Sequence, residues 1–199
     1  MKAVGFASRL AVVGLLLSGC AALGGGPSPL DTYDLTAPDV DSRGRRNRTQ
    51  ILIAEPTALK VLDGQNIVIK TGPGAIEYLG GAQWADRLPR VVQARLGETF
   101  QRSDAFAGVG KPGEGLAIDY QITTEIREFE IRVDGPARAE VEFYVRILND
   151  RNGVVRAAKT FEASAPIAGQ AGNAAYVAAL DAAFDEVATE IVTWADSLI

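Results

Sequence analysis

Apolar and polar residues alternate most cleanly between positions 138 and 147. Ala139, Val141, Phe143, Val145 and Ile147 fall on one side; Arg138, Glu140, Glu142 and Arg146 fall on the other. Successive strand side chains point to opposite faces, so this period of two predicts a strand with one buried and one wet face. The stretch from 116 to 133 alternates too, with a change of phase. Leu116, Ile118, Tyr120, Ile122 and Ile126 share one face, but after Arg127 and Glu128 the apolar set becomes Phe129, Ile131 and Val133. Such a switch predicts a bulge or bend. "NDRNG" at 149–153 predicts a hairpin turn, and 154–165 returns as the third strand of an antiparallel meander. Shorter strands are predicted at 32–35 and at 50–55, the latter stopped by Pro56. After a turn at Asp63-Gly64, two more flank a Gly72-Pro73-Gly74 turn, one at 67–70 and one running to Leu79.

In two places the apolar spacing changes to three and four, the helical period. Trp84, Leu88, Val91, Val92, Leu96 and Phe100 make one stripe, in which Pro89 either occupies a first turn capped by Asp86 or bends the helix. Tyr176, Leu180, Ala183, Phe184, Val187, Ile191 and Leu198 make the other, with Asn173 as the expected N-cap. Helices that bury one stripe against a sheet give the α+β class. The expected architecture is two-layer, an antiparallel or mixed sheet packed by two amphipathic helices.

The first twenty residues fit neither period. Lys2 and Arg9 precede an apolar run, Leu10 to Leu17, too short to span a bilayer, which takes about 20 residues. Leu17-Ser18-Gly19-Cys20 follows, and resembles the lipobox of bacterial lipoproteins. The resemblance implies diacylglycerol on the Cys20 thiol, cleavage ahead of it and acylation of the new amine. Ala21, where an Asp would signal retention at the inner membrane, implies the outer one. The expected organisation is a lipoprotein signal peptide at 1–19, a lipidated N-terminus and flexible tether at 20–30 ("CAALGGGPSPL"), and one α+β domain at 31–199.

Composition narrows the chemistry. The chain has 199 residues, a formal net charge of −5, no histidine and one cysteine. Ser-His-Asp and Cys-His catalysis are excluded, as are imidazole metal sites and intrachain disulfides. An acidic chain is a poor fit to nucleic acid. The basic "RGRRNR" at 43–48 reads as a solvated loop, with contact to anionic headgroups as the alternative. No Walker motif or Gly-x-Gly-x-x-Gly fingerprint occurs in "GGAQWADRLPRVVQARLGETF", 80–100. Asp119, Glu125, Glu128 and Glu130 sit in or near one strand, where charged residues on a wet face are expected without catalysis. Tyr33 and Tyr78 are expected as packed rings. No cofactor or metal is expected.

The order of segments resembles the ABC-type transport auxiliary lipoprotein family. The carriers are Tyr33 and Leu35 near the mature start; Leu62, Asp63, Ile67 and Val68; and Tyr78 ahead of the Trp84 stretch. The resemblance runs from Cys20 to the C-terminus and implies a non-enzymatic accessory. Its partners would be an MCE-domain substrate-binding protein with an ABC permease and ATPase, in envelope transport of phospholipid. It would face the periplasm from the outer membrane through acyl chains on Cys20, alone or as a homo-oligomer. The alternatives are a lipoprotein activator or assembly factor for cell-wall synthesis or outer-membrane biogenesis, and a carboxylate-based periplasmic hydrolase acting through Asp119, Glu125 and Glu128.

Overall fold

The apolar alternation around Phe143 becomes the middle of a nine-stranded mixed sheet in the computed structural model, which describes residues 29–40, 48–170 and 172–199. In chain order the elements are β1 (Asp31–Tyr33), β2 (Gln50–Ile53), β3 (Thr57–Ala58), β4 (Asn66–Gly72), β5 (Ala75–Trp84), α1 (Leu88–Arg102), β6 (Gly108–Gly110), β7 (Tyr120–Arg132), β8 (Arg138–Asn149), β9 (Val155–Pro166) and α2 (Asn173–Asp196). Together Asp31–Ile199 form one compact unit.

β8 lies between β7 and β9 and runs antiparallel to both. The other edge of β7 is filled piecewise. β2 pairs in parallel with Tyr120–Ile122, β3 with Glu125–Ile126 and β4 with Glu130–Arg132. The expected change of phase is a register shift between Ile126 and Glu128, and it falls where β3 hands over to β4. Outward of these, β6 lies parallel to β2, β5 antiparallel to β4, and β1 parallel to β5.

Both helices pack on one face. Val177, Leu180, Phe184, Val187 and Ile191 of α2 are buried over β8 and β9, while Leu88, Val92, Leu96 and Phe100 of α1 are buried beside β2 and β6. A chain of rings crosses the core. Trp84 meets Phe129 edge-on at 5.7 Å between centroids, Phe129 stacks on Phe143 at 6.2 Å, and Phe143 meets Phe184 edge-on at 6.3 Å. Offset and edge-to-face pairs of this kind add to the burial of the rings themselves. All five inward residues of β8 are under 2% exposed, as the alternation requires.

Five local expectations are corrected. Trp84 ends β5 rather than opening the helix; it joins the stripe by spacing because β5 leads straight into it. Pro89 does sit in the first turn, but the cap position is Arg87 without a side-chain bond, and the Leu88 amide donates to the Gly64 carbonyl at 2.9 Å. Asn173 is the first helical residue, not the cap, and its side-chain amide nitrogen donates to the Gly80 carbonyl at 3.1 Å. β5 runs five residues past Leu79 through a bulge: Leu79–Ala82 stand opposite Ile67 alone, with Gly81 at φ 75°, a conformation that glycine adopts without strain. β7 begins only at Tyr120, since Leu116, 41% exposed, belongs to the preceding loop and lies over Gly110.

Truncating the centre of the ring chain should be severe. Phe143→Ala is expected to lower unfolding free energy by about 3–5 kcal/mol, and Arg146→Ala, outward on the same strand, by less than about 0.5 kcal/mol, measured by urea denaturation.

Candidate functional site

Two features stand apart from the core: an N-terminal arm laid along both helices, and a sheet face made of charge. The arm, Asp34–Val40, buries Leu35, Ala37 and Val40. Polar residues between them reach the helices. Asp34 pairs with Arg95 of α1, and Arg102 donates to the Ala37 carbonyl and approaches Asp39 at 3.4 Å. On α2, Asp181 accepts from the Thr36 amide at 2.7 Å and from its hydroxyl at 2.8 Å. Asp185, one turn on, accepts from the same hydroxyl at 3.4 Å. The i, i+4 spacing stacks the two carboxylates on one helix face. Burial and the Asp181 charge beside it push Asp185 up to about 6.

The charged face lies opposite the helices. Glu128, Glu130 and Glu140 bring carboxylate oxygens within 4.8 Å of one another, a spacing open to a metal ion. Cations of the chain already answer these charges. The Lys70 ammonium is 3.1 Å from Glu130 and 3.9 Å from Glu128; Arg132 and Arg138 meet Glu140 at 3.0 and 2.7 Å. Desolvation and the neighbouring Glu130 charge raise Glu128, while Lys70 opposes them. Arg132 is held charged chiefly by Asp134, then by Glu140. A shallow groove of about 400 Å³ beside this network is lined by Glu128, Glu140, Glu142, Glu162 and Glu186 among others. A second, of about 460 Å³, is lined by Ala58, Leu59, Ile126 and Arg127; Leu59 there is 72% exposed.

The sequence-predicted carboxylates therefore divide. Glu128 and Glu130 come together, but Asp119 accepts from the Gln50 amide and pairs with Arg151 at 3.1 Å, and Glu125 lies 3.5 Å from Arg127. Asp119 and Glu125 are six residues apart on extended chain, about 20 Å, so they do not act as a pair on one bond. Tyr33 packs against the core as expected, while Tyr78 is 50% exposed on β5. Leu17, Ser18, Gly19 and Cys20 lie outside the described residues. Among the described residues no helix is long and apolar enough to cross a membrane. Thr36, Asp181 and Asp185 escaped sequence reasoning, because no local pattern links residues 145 positions apart.

Comparison with known proteins converges on one family. The sequence model of the ABC-type transport auxiliary lipoprotein component matches residues 33–192. The uncharacterised protein bll6063 of Bradyrhizobium diazoefficiens is 35% identical over 175 residues, covering 86% of this chain and 46% of that one. The chain thus spans about half the length of that curated relative. The crystal structure of XCC0632 from Xanthomonas campestris superposes with a TM-score of 0.76 at 25% identity, over 84% of this chain and 95% of that one.

The Asp181–Asp185 pair generates a pH prediction. A carboxyl whose folded pKa is raised from 3.8 to about 6 holds its proton more tightly in the folded state. Its contribution to stability is present in full below the unfolded value and is lost as pH rises through 6. Asp185→Asn should therefore be more stable than the parent at pH 7.5, with the gap closing as pH falls to 4, measured as urea midpoints across that range.

Proposed function

Because this chain belongs to the ABC-type transport auxiliary lipoprotein component family, we propose that it acts as a lipid-anchored, non-enzymatic docking module at the outer membrane. It faces the periplasm and serves an MCE-type phospholipid transport system. Cys20 carries the anchor, and Leu17, Ser18 and Gly19 form the recognition sequence ahead of it. What supports this reading is the match over 33–192 together with Leu17-Ser18-Gly19-Cys20, a tetrad that resembles a lipobox. Two or three acyl chains hold a protein firmly, since each buried methylene contributes about 0.8 kcal/mol, whereas one chain binds marginally.

The role follows from tethering. An anchor confines the domain to the membrane surface and raises its effective concentration against partners held in the envelope, without any new contact. The chain carries no phosphate-binding motif of the Gly-Lys-Ser/Thr kind, so ATP hydrolysis falls to the ABC partner. The ion-paired carboxylates of the outer face support a structural role for that face, with Lys70 against Glu128 and Glu130 and Arg138 against Glu140.

The mature protein should carry diacylglycerol on Cys20, seen by intact mass spectrometry, and Cys20→Ala should leave the precursor uncleaved and unacylated. Affinity capture of the native protein from detergent-solubilised membranes should retain an MCE-domain protein. Retention of a cell-wall synthase or an outer-membrane assembly factor in its place would refute the docking assignment.

A further inference from the structure

One end of the sheet is almost without charge. β4 runs into β5 through the turn at 72–76, β7 into β8 through 133–137, and β9 runs out into 166–170. Arg132 of β7 is level with Lys70 of β4, and Arg138 of β8 with Pro166 of β9, so the three segments lie side by side. Backbone bonds join them: the Val133 amide donates to the Lys70 carbonyl at 3.0 Å, and the Ile167 amide to the Ala137 carbonyl at 3.2 Å. Their sequences, GPGAI, VDGPA and PIAGQ, hold one ionisable side chain, Asp134, which pairs with Arg132 at 2.9 Å. The opposite end, about 40 Å away along the thirteen residues of β7, carries Arg48, Asp119, Asp150 and Arg151.

Apolar side chains stand open at the uncharged end. Every residue from Pro73 to Tyr78 is exposed, with Ile76 at 45% and Tyr78 at 50%, and Val133 of the neighbouring turn is 36% exposed. Ile76 and Tyr78 share one face of β5, and Glu77 points to the other. An apolar tip with a tyrosine about 10 Å behind it fits the layer where hydrocarbon meets headgroups. The tip takes the apolar depth and the phenol the polar one.

The direction of β1 selects a lipid surface as the occupant. β1 runs parallel to β5, with Asp31 level with Ala82. Its amino end, to which the segment bearing Cys20 is bonded, therefore points along β5 toward Ala75 and the uncharged turns. Eleven residues separate Cys20 from Asp31, a reach of at most about 40 Å. The stretch of β5 from Ala82 back to Ala75 is about 23 Å, so the reach suffices. We infer that this end of the sheet is a membrane-contacting surface, with the turn at 72–76, Tyr78 and Val133 seated in the headgroup region of the bilayer that holds the acyl chains. The inference rests on the anchored reading above and adds the orientation of the domain, whose Arg151 end points away from the bilayer. So small an apolar area binds weakly alone; with the acyl chains already holding it at the surface, it has only to turn the domain.

Ala75→Cys in the full chain, purified as the mature lipoprotein, tests the contact. A thioether at Cys20 leaves position 75 as the sole free thiol, so a polarity-sensitive fluorophore goes there alone. The probe surface is a phosphatidylethanolamine–phosphatidylglycerol vesicle containing lipid with a nitroxide near the headgroup. The label at 75 should be quenched at least about threefold, and the same label at Asn152→Cys, in the far hairpin, less than about 1.2-fold. Adding Ile76→Glu and Tyr78→Glu should release the quenching at 75 while the protein still floats with the vesicles through its acyl chains. Pro73→Cys is a second probe of the same turn, and far-UV circular dichroism checks that each variant is folded. Flotation without quenching at 73 or 75, as when the turn docks on a protein absent from the vesicles, would overturn the inference and leave the anchor standing. Equal quenching at 75 and 152 would do the same. Labelling of Cys20 itself, in protein that fails to float, would overturn the anchor and the inference together.

Discussion

A strand of thirteen residues at the centre of a sheet has two rows of backbone donors and acceptors, and both must be satisfied. For β7 one row is met by β8 in a single pass. The other is met by β2, β3 and β4 in turn, as residues 50–70 move along β7 in its own direction. The rest of the topology follows from this constraint. Three short parallel contacts leave room for the turns between them, and the bulge at Ile126–Glu128 bends β7 where one contact ends and the next begins. The outward strands then continue from β2 and β4. Phe129, just past the bulge, is turned inward to stack on Phe143, so the backbone solution and the ring chain across the core are one arrangement.

The sequence made the meander and both helices legible because their patterns are local. β8 alternates without error, the phase change in β7 marks its bulge, and the α2 stripe repeats for six turns. What escaped is what depends on distant chain. Trp84 sits at a helical spacing from Leu88 yet belongs to β5, since a core-facing residue at a strand end satisfies either period. Asn173 has the chemistry of a cap, but the Gly80 carbonyl, brought near by the β5 bulge, takes its amide instead. Leu116 and Ile118 continue the alternation of β7 into a loop, where no neighbouring strand exists to extend it. Gly80 and Gly81 read as a turn and form part of a strand, because a bulge uses the same glycine freedom as a turn.

Of the site, the lipobox was the legible part, since its information is a contiguous tetrad. The arm was not. Thr36 gains meaning only beside Asp181 and Asp185, and its neighbours Leu35 and Ala37 are buried by helices that begin about fifty and more than a hundred residues later. The arm is thus a product of the finished fold: α1 supplies Arg95 and Arg102, α2 supplies the acid pair, and neither helix holds it alone. Two stacked carboxylates on a partly buried helix face repel each other. They are retained here in contact with one threonine, whose amide and hydroxyl offer donors to the charge.

The charged face shows the same economy with opposite consequence. Glu128, Glu130 and Glu140 crowd together as metal ligands do, and in another setting that spacing would suggest chemistry. Lys70 enters from β4, Arg132 from β7 and Arg138 from β8, so the cations arrive on the strands whose pairing creates the crowding. Lys70, Arg132 and Arg138 offset much of this charge, while burial and Glu130 still raise Glu128. Toward the hairpin the balance changes: Arg146 and Arg156 carry no ion-pair partner among the described residues, and Arg156 stands at an unpaired edge. Charge left open at a strand edge acts on whatever approaches that edge. Surface that is satisfied holds the fold, and surface that is unsatisfied is what remains for recognition.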